Sequence, residues 1–237
     1  MEVNVFVATH KLVENINSNV YKLIQVGADL NENLGYLADN TGDNISKKNK
    51  SYCELTALYW IWKNNQSDYV GLCHYRRFFC KKNLITKKFK ILNDKDIYNL
   101  IRKYDLILPR EACLPLNIYE HYCENHYKKD LDFCFEAIQK FFPEYVDTYN
   151  ETMHQNKIRL FNMFIGKKEI MNEYFSWLFT ILGYVESKID IREYSDYQKR
   201  VFGYLSERLF NVWINHNKMN YSIKEIFVMN TEDGKVL

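Results

Sequence analysis

The apolar positions of this chain follow two periods, and their alternation orders its elements. Residues 3–8, Val-Asn-Val-Phe-Val-Ala, form a β-branched run that ends in Thr9, His10 and Lys11. So continuous a run predicts a strand buried on both faces, with polar side chains delivered at its carboxyl end. Residues 38–50 are dense in Asn, Asp, Gly, Ser and Lys, which predicts a loop. Tyr52, Leu55, Tyr59 and Trp62 then recur at helical spacing, so a helix is expected over 51–63 with one face in the core. A short central strand follows over 68–73 and empties into His74, Tyr75, Arg76 and Arg77.

Beyond it the pattern predicts a helix near 94–104, a strand over 105–108 that ends at Pro109, and a helical stretch in two pieces over 118–142. Leu131, Cys134, Phe135, Ile138 and Phe142 mark the buried face of the second piece, and Pro143 stops it. A strand over 162–165, helices over 169–186 and 197–214, and a terminal strand over 221–229 complete the order. Strands alternating with helices imply an α/β fold with a mostly parallel central sheet flanked by helices, in which ligands bind at the carboxyl ends of the strands. That rule gathers Thr9 to Lys11, His74 to Arg77 and the turn after Asn162 into one expected site.

Composition narrows the picture. The chain has 237 residues, 47% of them hydrophobic and 16% aromatic, which is enough for one sizeable core. With 8 Gly, 3 Pro and no internal repeat, a single domain over 1–237 is expected. The 32 basic and 30 acidic residues are mixed along the chain, whereas a nucleic-acid binder shows a basic excess or stripe. The cysteines at 53, 73, 80, 113, 123 and 134 form no C-x-x-C pair and read as reduced packing thiols suited to a cytoplasmic setting. The first residues lack the features of a signal peptide, and no segment approaches the ~18 apolar residues of a membrane span.

The chemistry concentrates in a few stretches. Arg76 and Arg77 follow a buried strand, and guanidinium groups present fixed forks of donors matched to phosphate oxygens. The competing reading is that they pair with structural carboxylates. The loop holding Asp39, Asn40, Gly42, Asp43 and Asn44 offers carboxylates and amides to a sugar, a ribose or a metal, or is a plain turn; it lacks the length and terminal Glu of a calcium loop. His121, His126 and Asp130 lack a further close ligand, so zinc is not expected. Lys81, Lys82, Lys87, Lys88 and Lys90, interleaved with Leu84, Ile85 and Phe89, form a solvated hairpin or a surface that docks on an anionic leaflet. In 196–209, Phe202, Leu205 and Leu209 set a core face, Arg208 sits at its edge and requires a partner, and Glu207 faces solvent or serves as a base in a cleft.

Several ordered stretches carry a resemblance: residues 5–11, 39–46, 52–64, Gly71 to Phe78, Asn162 to Ile165, and 200–209. Over nearly its whole length the chain resembles a bacterial family catalogued as domain of unknown function 4422, found in capsular and lipopolysaccharide gene clusters and regarded as glycosyltransferases, some galactofuranosyltransferases among them. The resemblance implies a GT-A-like fold that binds a nucleotide sugar. Most GT-A enzymes end the strand equivalent to 69–73 in an Asp-x-Asp that holds a divalent metal. This chain has His74, Tyr75, Arg76 and Arg77 there, so arginine is expected to supply the charge, with manganese or magnesium as the alternative.

The resulting expectation is transfer of a sugar from a nucleotide donor, a UDP-sugar such as UDP-galactofuranose, to a hydroxyl of a capsular or lipopolysaccharide glycan, lipid-linked or free. Thr9, His10, Lys11, His74, Tyr75, Arg76, Arg77, Asn162 and Arg208 are the donor-binding candidates, and Asp39, Asn40 and Asn44 the sugar or acceptor candidates. The base candidates are Glu207, Asp196 and Asp43, in that order. No metal ligand is assigned. The alternatives are a non-catalytic nucleotide- or carbohydrate-binding module and a membrane-docked scaffold.

Overall fold

The computed structural model describes every residue except 15, 84 and 85. Its strands are β1 (Val3–Thr9), β2 (Tyr21–Gln25), β3 (Leu37–Ala38), β4 (Tyr69–His74), β5 (Arg77–Lys82), β6 (Phe89–Ile91), β7 (Leu106–Pro109), β8 (Ala112–Cys113), β9 (Lys157–Ile158), β10 (Phe164–Lys167) and β11 (Ile223–Asn230). The helices are α1 (Asn49–Tyr52), α2 (Leu55–Asn64), α3 (Asp94–Ile101), α4 (Ile118–Asn125), α5 (Lys128–Phe141), α6 (Val146–Met153), α7 (Lys168–Lys188) and α8 (Val201–Asn217). Among the described residues, nine strands form one sheet in the order β3-β2-β1-β4-β10-β7-β11-β5-β6, while β8 and β9 pair separately.

The sheet is mixed, which corrects the expectation of a mostly parallel one. Its β3-β2-β1-β4 part and the β7-β11 pair are parallel. β10 runs antiparallel to both β4 and β7, and β5 is antiparallel to β4, β6 and β11. The causes are local. The chain leaves β4 through a two-residue turn at Tyr75 and Arg76, so β5 must run back beside it; His74 and Arg77 face each other across that turn. β10 is entered from the end of the sheet where β1 and β4 finish, so it runs against them.

β1 is apolar at nearly every position because both faces are covered. Phe6 and Ala8 join a core with Leu58 of α2, Leu178 of α7 and Leu205 of α8. Val3, Val5 and Val7 join a second core with Ile97 and Ile101 of α3 and Phe79 of β5. Beside β1, a Cβ on Gly71 of β4 would meet the Phe164 carbonyl oxygen at 2.9 Å and Val5 Cγ2 at 3.1 Å, so this central strand is fitted to a residue without a side chain.

The helix expected over 51–63 is broken at Cys53, whose φ of 51° and ψ of −128° no helix contains. Asn49 Nδ2 donates to the Cys53 carbonyl at 2.7 Å, and Thr56 Oγ1 donates to the same oxygen at 3.1 Å, holding the break. The strained residue costs ~1–3 kcal/mol and redirects the chain at a point where Cys53 and Glu54 line a cleft. Among the described residues no helix is long and apolar enough to cross a membrane.

The lysine-rich segment is the β5–β6 hairpin at the sheet's edge, with Leu84 and Ile85 outside the described residues. Lys81 pairs with Asp96, and Lys82, Lys87, Lys88 and Lys90 are exposed. Running antiparallel to β4, β5 carries Lys82 about 17 Å from Arg77, towards the opposite end of the sheet.

Candidate active site

A cleft of about 600 Å³ opens where β1 and β4 end. Its walls come from His10 after β1, His74 to Arg77 at the β4–β5 turn, Asn49 to Glu54 around the helix break, Phe161 before β10, and Arg200 and Glu207 at and within α8. Four permanent cations, Lys50, Arg76, Arg77 and Arg200, face two carboxylates, Glu54 and Glu207. The cleft therefore favours anions.

The arginines differ in what they touch. Arg76 lies at the tip of the turn, its carbonyl accepting from the Thr231 amide at 2.9 Å and its guanidinium paired with Glu232 at 3.1 Å. Lys11 shares that carboxylate at 3.3 Å and lies 4.5 Å from the centre of the Tyr75 ring, which His10 meets edge-on. Arg77 is half-buried, 4.2 Å from the centre of the Phe161 ring, and forms no ion pair among the described residues. Burial and then the charge of Arg76 push its pKa down, so its cation is held at a cost that an incoming anion would offset. Arg200 donates from Nε to Cys53 Sγ at 3.3 Å.

Opposite them, Phe161 and Asn162 take φ angles of 77° and 52°, left-handed backbone that Asn tolerates and Phe rarely adopts. Three side chains clamp this turn. His74 Nε2 donates to the Phe161 carbonyl at 2.7 Å, Glu207 Oε1 accepts from the Phe161 amide at 2.9 Å, and Glu54 Oε1 accepts from Asn162 Nδ2 at 2.8 Å. A carbonyl only accepts, so Nε2 carries the hydrogen. Burial lowers the His74 pKa, opposed by Glu54 and the Phe161 carbonyl, and so favours the neutral imidazole. The second Glu207 oxygen faces Arg208 at 3.1 Å; burial raises the Glu207 pKa against the lowering effect of that arginine.

Of the residues singled out in the sequence, the cleft brings together His10, His74, Tyr75, Arg76, Arg77 and Glu207. Others fall elsewhere. Thr9 is buried and its hydroxyl is occupied by the Lys11 backbone. Asn162 is buried behind the cleft wall and fixes Glu54. Arg208 is 3% exposed, and the partner it requires is Glu207 together with the Tyr204 carbonyl. Asp39 cannot meet a sugar: it is 0% exposed, and its oxygens accept from the Gly27 and Ala28 amides at 2.8 and 3.0 Å and from Ser46. Asn40 and Asn44 are tied into the same turn through Asp29, Ser46 and local carbonyls. Asp43 accepts from Tyr59, and Asp196 is exposed beside Lys199; neither lines the cleft.

Glu54, Arg200, Lys50 and Phe161 were not expected at the site. A second groove of about 920 Å³ holds the buried Arg159, but Glu111 and Glu225 already pair with it. The manganese or magnesium alternative needs converging carboxylates. Among the described residues no three His, Cys, Asp or Glu side chains converge to hold a metal ion, and the strand end offers His74, Arg76 and Arg77. This donor set does not fit a divalent cation.

The chain is similar to a solved structure titled "WbbM bifunctional glycosytransferase apo structure", with a TM-score of 0.90 and 31% identity over 98% of this chain. It spans 46%, about half, of that longer chain. No curated protein matches the sequence. Residues 4–218 match the family described as Domain of unknown function (DUF4422), and the chain belongs to that family.

Proposed function

We propose that the protein transfers a sugar from a nucleotide-sugar donor, a UDP-sugar in the first instance and UDP-galactofuranose among them, to a hydroxyl of a capsular or lipopolysaccharide glycan. The observation that carries this reading is the half-buried Arg77, a cation without an ion-pair partner among the described residues, in a cleft that also holds two carboxylates. A nucleoside diphosphate supplies the anion that Arg77 lacks, and a carboxylate supplies the base that a hydroxyl acceptor needs. The similarity to part of a bifunctional glycosyltransferase supports the same class of reaction.

In this reading the diphosphate lies against Arg77 and Arg200, and Arg76 exchanges its exposed contact with Glu232 for phosphate oxygens. His10 and Tyr75 border the nucleoside. Fixed guanidinium donors offset the charge that builds on the leaving diphosphate, the task that a cation performs in metal-dependent transferases. The exposed lysines of the β5–β6 hairpin are a surface for an anionic leaflet, and they lie towards the end of the sheet opposite the cleft.

The test is a panel of nucleotide sugars assayed for thermal stabilisation and then for transfer to glycan acceptors. A ligand that binds the folded state raises its stability by mass action, so the true donor raises the midpoint. Stabilisation by UDP-sugars with transfer is the expected result. Stabilisation without transfer or hydrolysis of any donor identifies a binding module, and binding to anionic vesicles without nucleotide binding identifies a scaffold.

A further inference from the structure

We propose that Glu54 is the carboxylate that takes the proton from the acceptor hydroxyl, while Glu207 is a positioning residue that fixes the turn beside it. The assignment rests on the transferase reading above. Glu54 and Glu207 are the carboxylates lining the cleft, and they differ in how their oxygens are used. Both oxygens of Glu207 are engaged, one by the Phe161 amide at 2.9 Å and the other by Arg208 at 3.1 Å, and the side chain is 18% exposed. Using it as a base would release a strained turn and a buried guanidinium.

Glu54 is held on one side only. Its Oε1 accepts from Asn162 at 2.8 Å, and its Oε2 has no hydrogen bond or ion pair among the described residues. One anchored oxygen and one unengaged oxygen are what an oriented base requires. Asn162 Nδ2 also reaches the Gly203 carbonyl at 3.4 Å, so the group that aims Glu54 is anchored on α8. The costly backbone at Cys53 has the same consequence, since a continuous helix would carry Glu54 elsewhere.

The step balances within these groups. A lone pair of the acceptor oxygen forms the bond to the anomeric carbon. The bond from that carbon to the diphosphate oxygen breaks, and its electron pair leaves with the nucleoside diphosphate beside Arg77 and Arg200. The hydroxyl proton passes to Glu54 Oε2 and then to solvent.

Glu54→Gln is the discriminating variant, because its carbonyl oxygen still accepts from Asn162 while the base is lost. With a donor and glycan acceptor that the wild type uses, hydroxyl transfer is expected to fall by ~10²-fold or more. UDP affinity and the unfolding midpoint should stay at wild-type values. Azide attacks as an anion with no proton to lose, so the variant should form glycosyl azide as fast as the wild type does. Glu54→Asp, which keeps a carboxylate, should retain part of the hydroxyl transfer and fold normally even if the glutamine variant does not. Equal losses with azide and hydroxyl acceptors, wild-type hydroxyl transfer in Glu54→Gln, or an aspartate variant as inactive as the glutamine one would each overturn the assignment. A wild type that transfers no sugar from any donor to either acceptor is a separate result: it removes the transferase reading, and this assignment with it.

Discussion

The Arg77 guanidinium lies against the Phe161 ring, 4.2 Å from its centre, so the strand end that carries the charge is braced by the strained turn across the cleft. Replacing both Arg76 and Arg77 by Ala should remove most of the stabilisation given by UDP or its sugars without unfolding the chain. Each charge-assisted contact contributes ~1.5–3 kcal/mol, so Arg77→Ala alone should weaken UDP binding by about 10- to 100-fold. Arg76→Ala should weaken it less, because that side chain already spends part of its charge on Glu232. Titration calorimetry reads all three; wild-type nucleotide affinity in the double variant would make the arginines structural.

Glu207→Gln should be costly in a different way from Glu54→Gln. Arg208 is 3% exposed, and losing its carboxylate partner leaves a buried guanidinium short of a counter-charge. A stability loss of ~1–3 kcal/mol is expected in urea unfolding, with turnover reduced through displacement of Phe161. An unchanged urea midpoint together with lost turnover would return the base to Glu207.

Much of this site was legible because buried strands are loud in sequence. β1 and β4 are apolar on both faces, so the polar residues at their ends, His10 and His74 to Arg77, stood out at once. What hid the remainder was backbone geometry without a sequence signature. Cys53 and Phe161 take positive φ angles usual only at Gly or Asn, so the helix break that presents Glu54 was not visible, and the turn expected after Asn162 lies instead at Phe161 and Asn162, ahead of β10. β5 was masked because Arg77 looks like a loop cation, although it begins a strand. The Asp39 loop misled for the converse reason: turn-forming residues that resemble a ligand cradle satisfy one another, and its carboxylate is consumed by backbone amides.

His126 should make stability depend on pH. It packs against the rings of Tyr204 and Tyr197, at 4.1 and 5.6 Å, and donates from Nδ1 to Gln198 Oε1 at 3.0 Å. Burial is the main cause that lowers its pKa from 6.5 to about 4, with Gln198 opposing and Arg208 and His121 adding to the fall. The unfolded chain thus takes up this proton below pH 6.5 while the folded chain refuses it, and the histidine's contribution to stability is lost as pH falls from 6.5 to about 4. Asp130 and Glu207, whose pKa values burial raises, act in the opposite sense. His126→Phe keeps an aromatic ring against the tyrosines and removes the titration. Urea midpoints across this range should therefore fall more steeply in the wild type than in the variant, and parallel curves would show that His126 is not responsible.

Transfer should proceed after exhaustive chelation. The charge developing on the departing diphosphate must be offset, either by a dication held on carboxylates or by fixed guanidinium donors. At the end of β4 the chain presents His74, Arg76 and Arg77, and a dication placed beside Arg77 and Arg200 would be repelled by both. The carboxylates within reach are committed, Glu207 to Phe161 and Arg208 and one Glu54 oxygen to Asn162. Asp39 is consumed in its own turn, and Asp43 lies outside the cleft beside Tyr59. Sugar transfer measured with chelator, and again after addition of manganese or magnesium, should give the same rate. Activity that disappears with the chelator and returns with the metal would sink the guanidinium account, and the unengaged oxygen of Glu54 would then be the first ligand to examine.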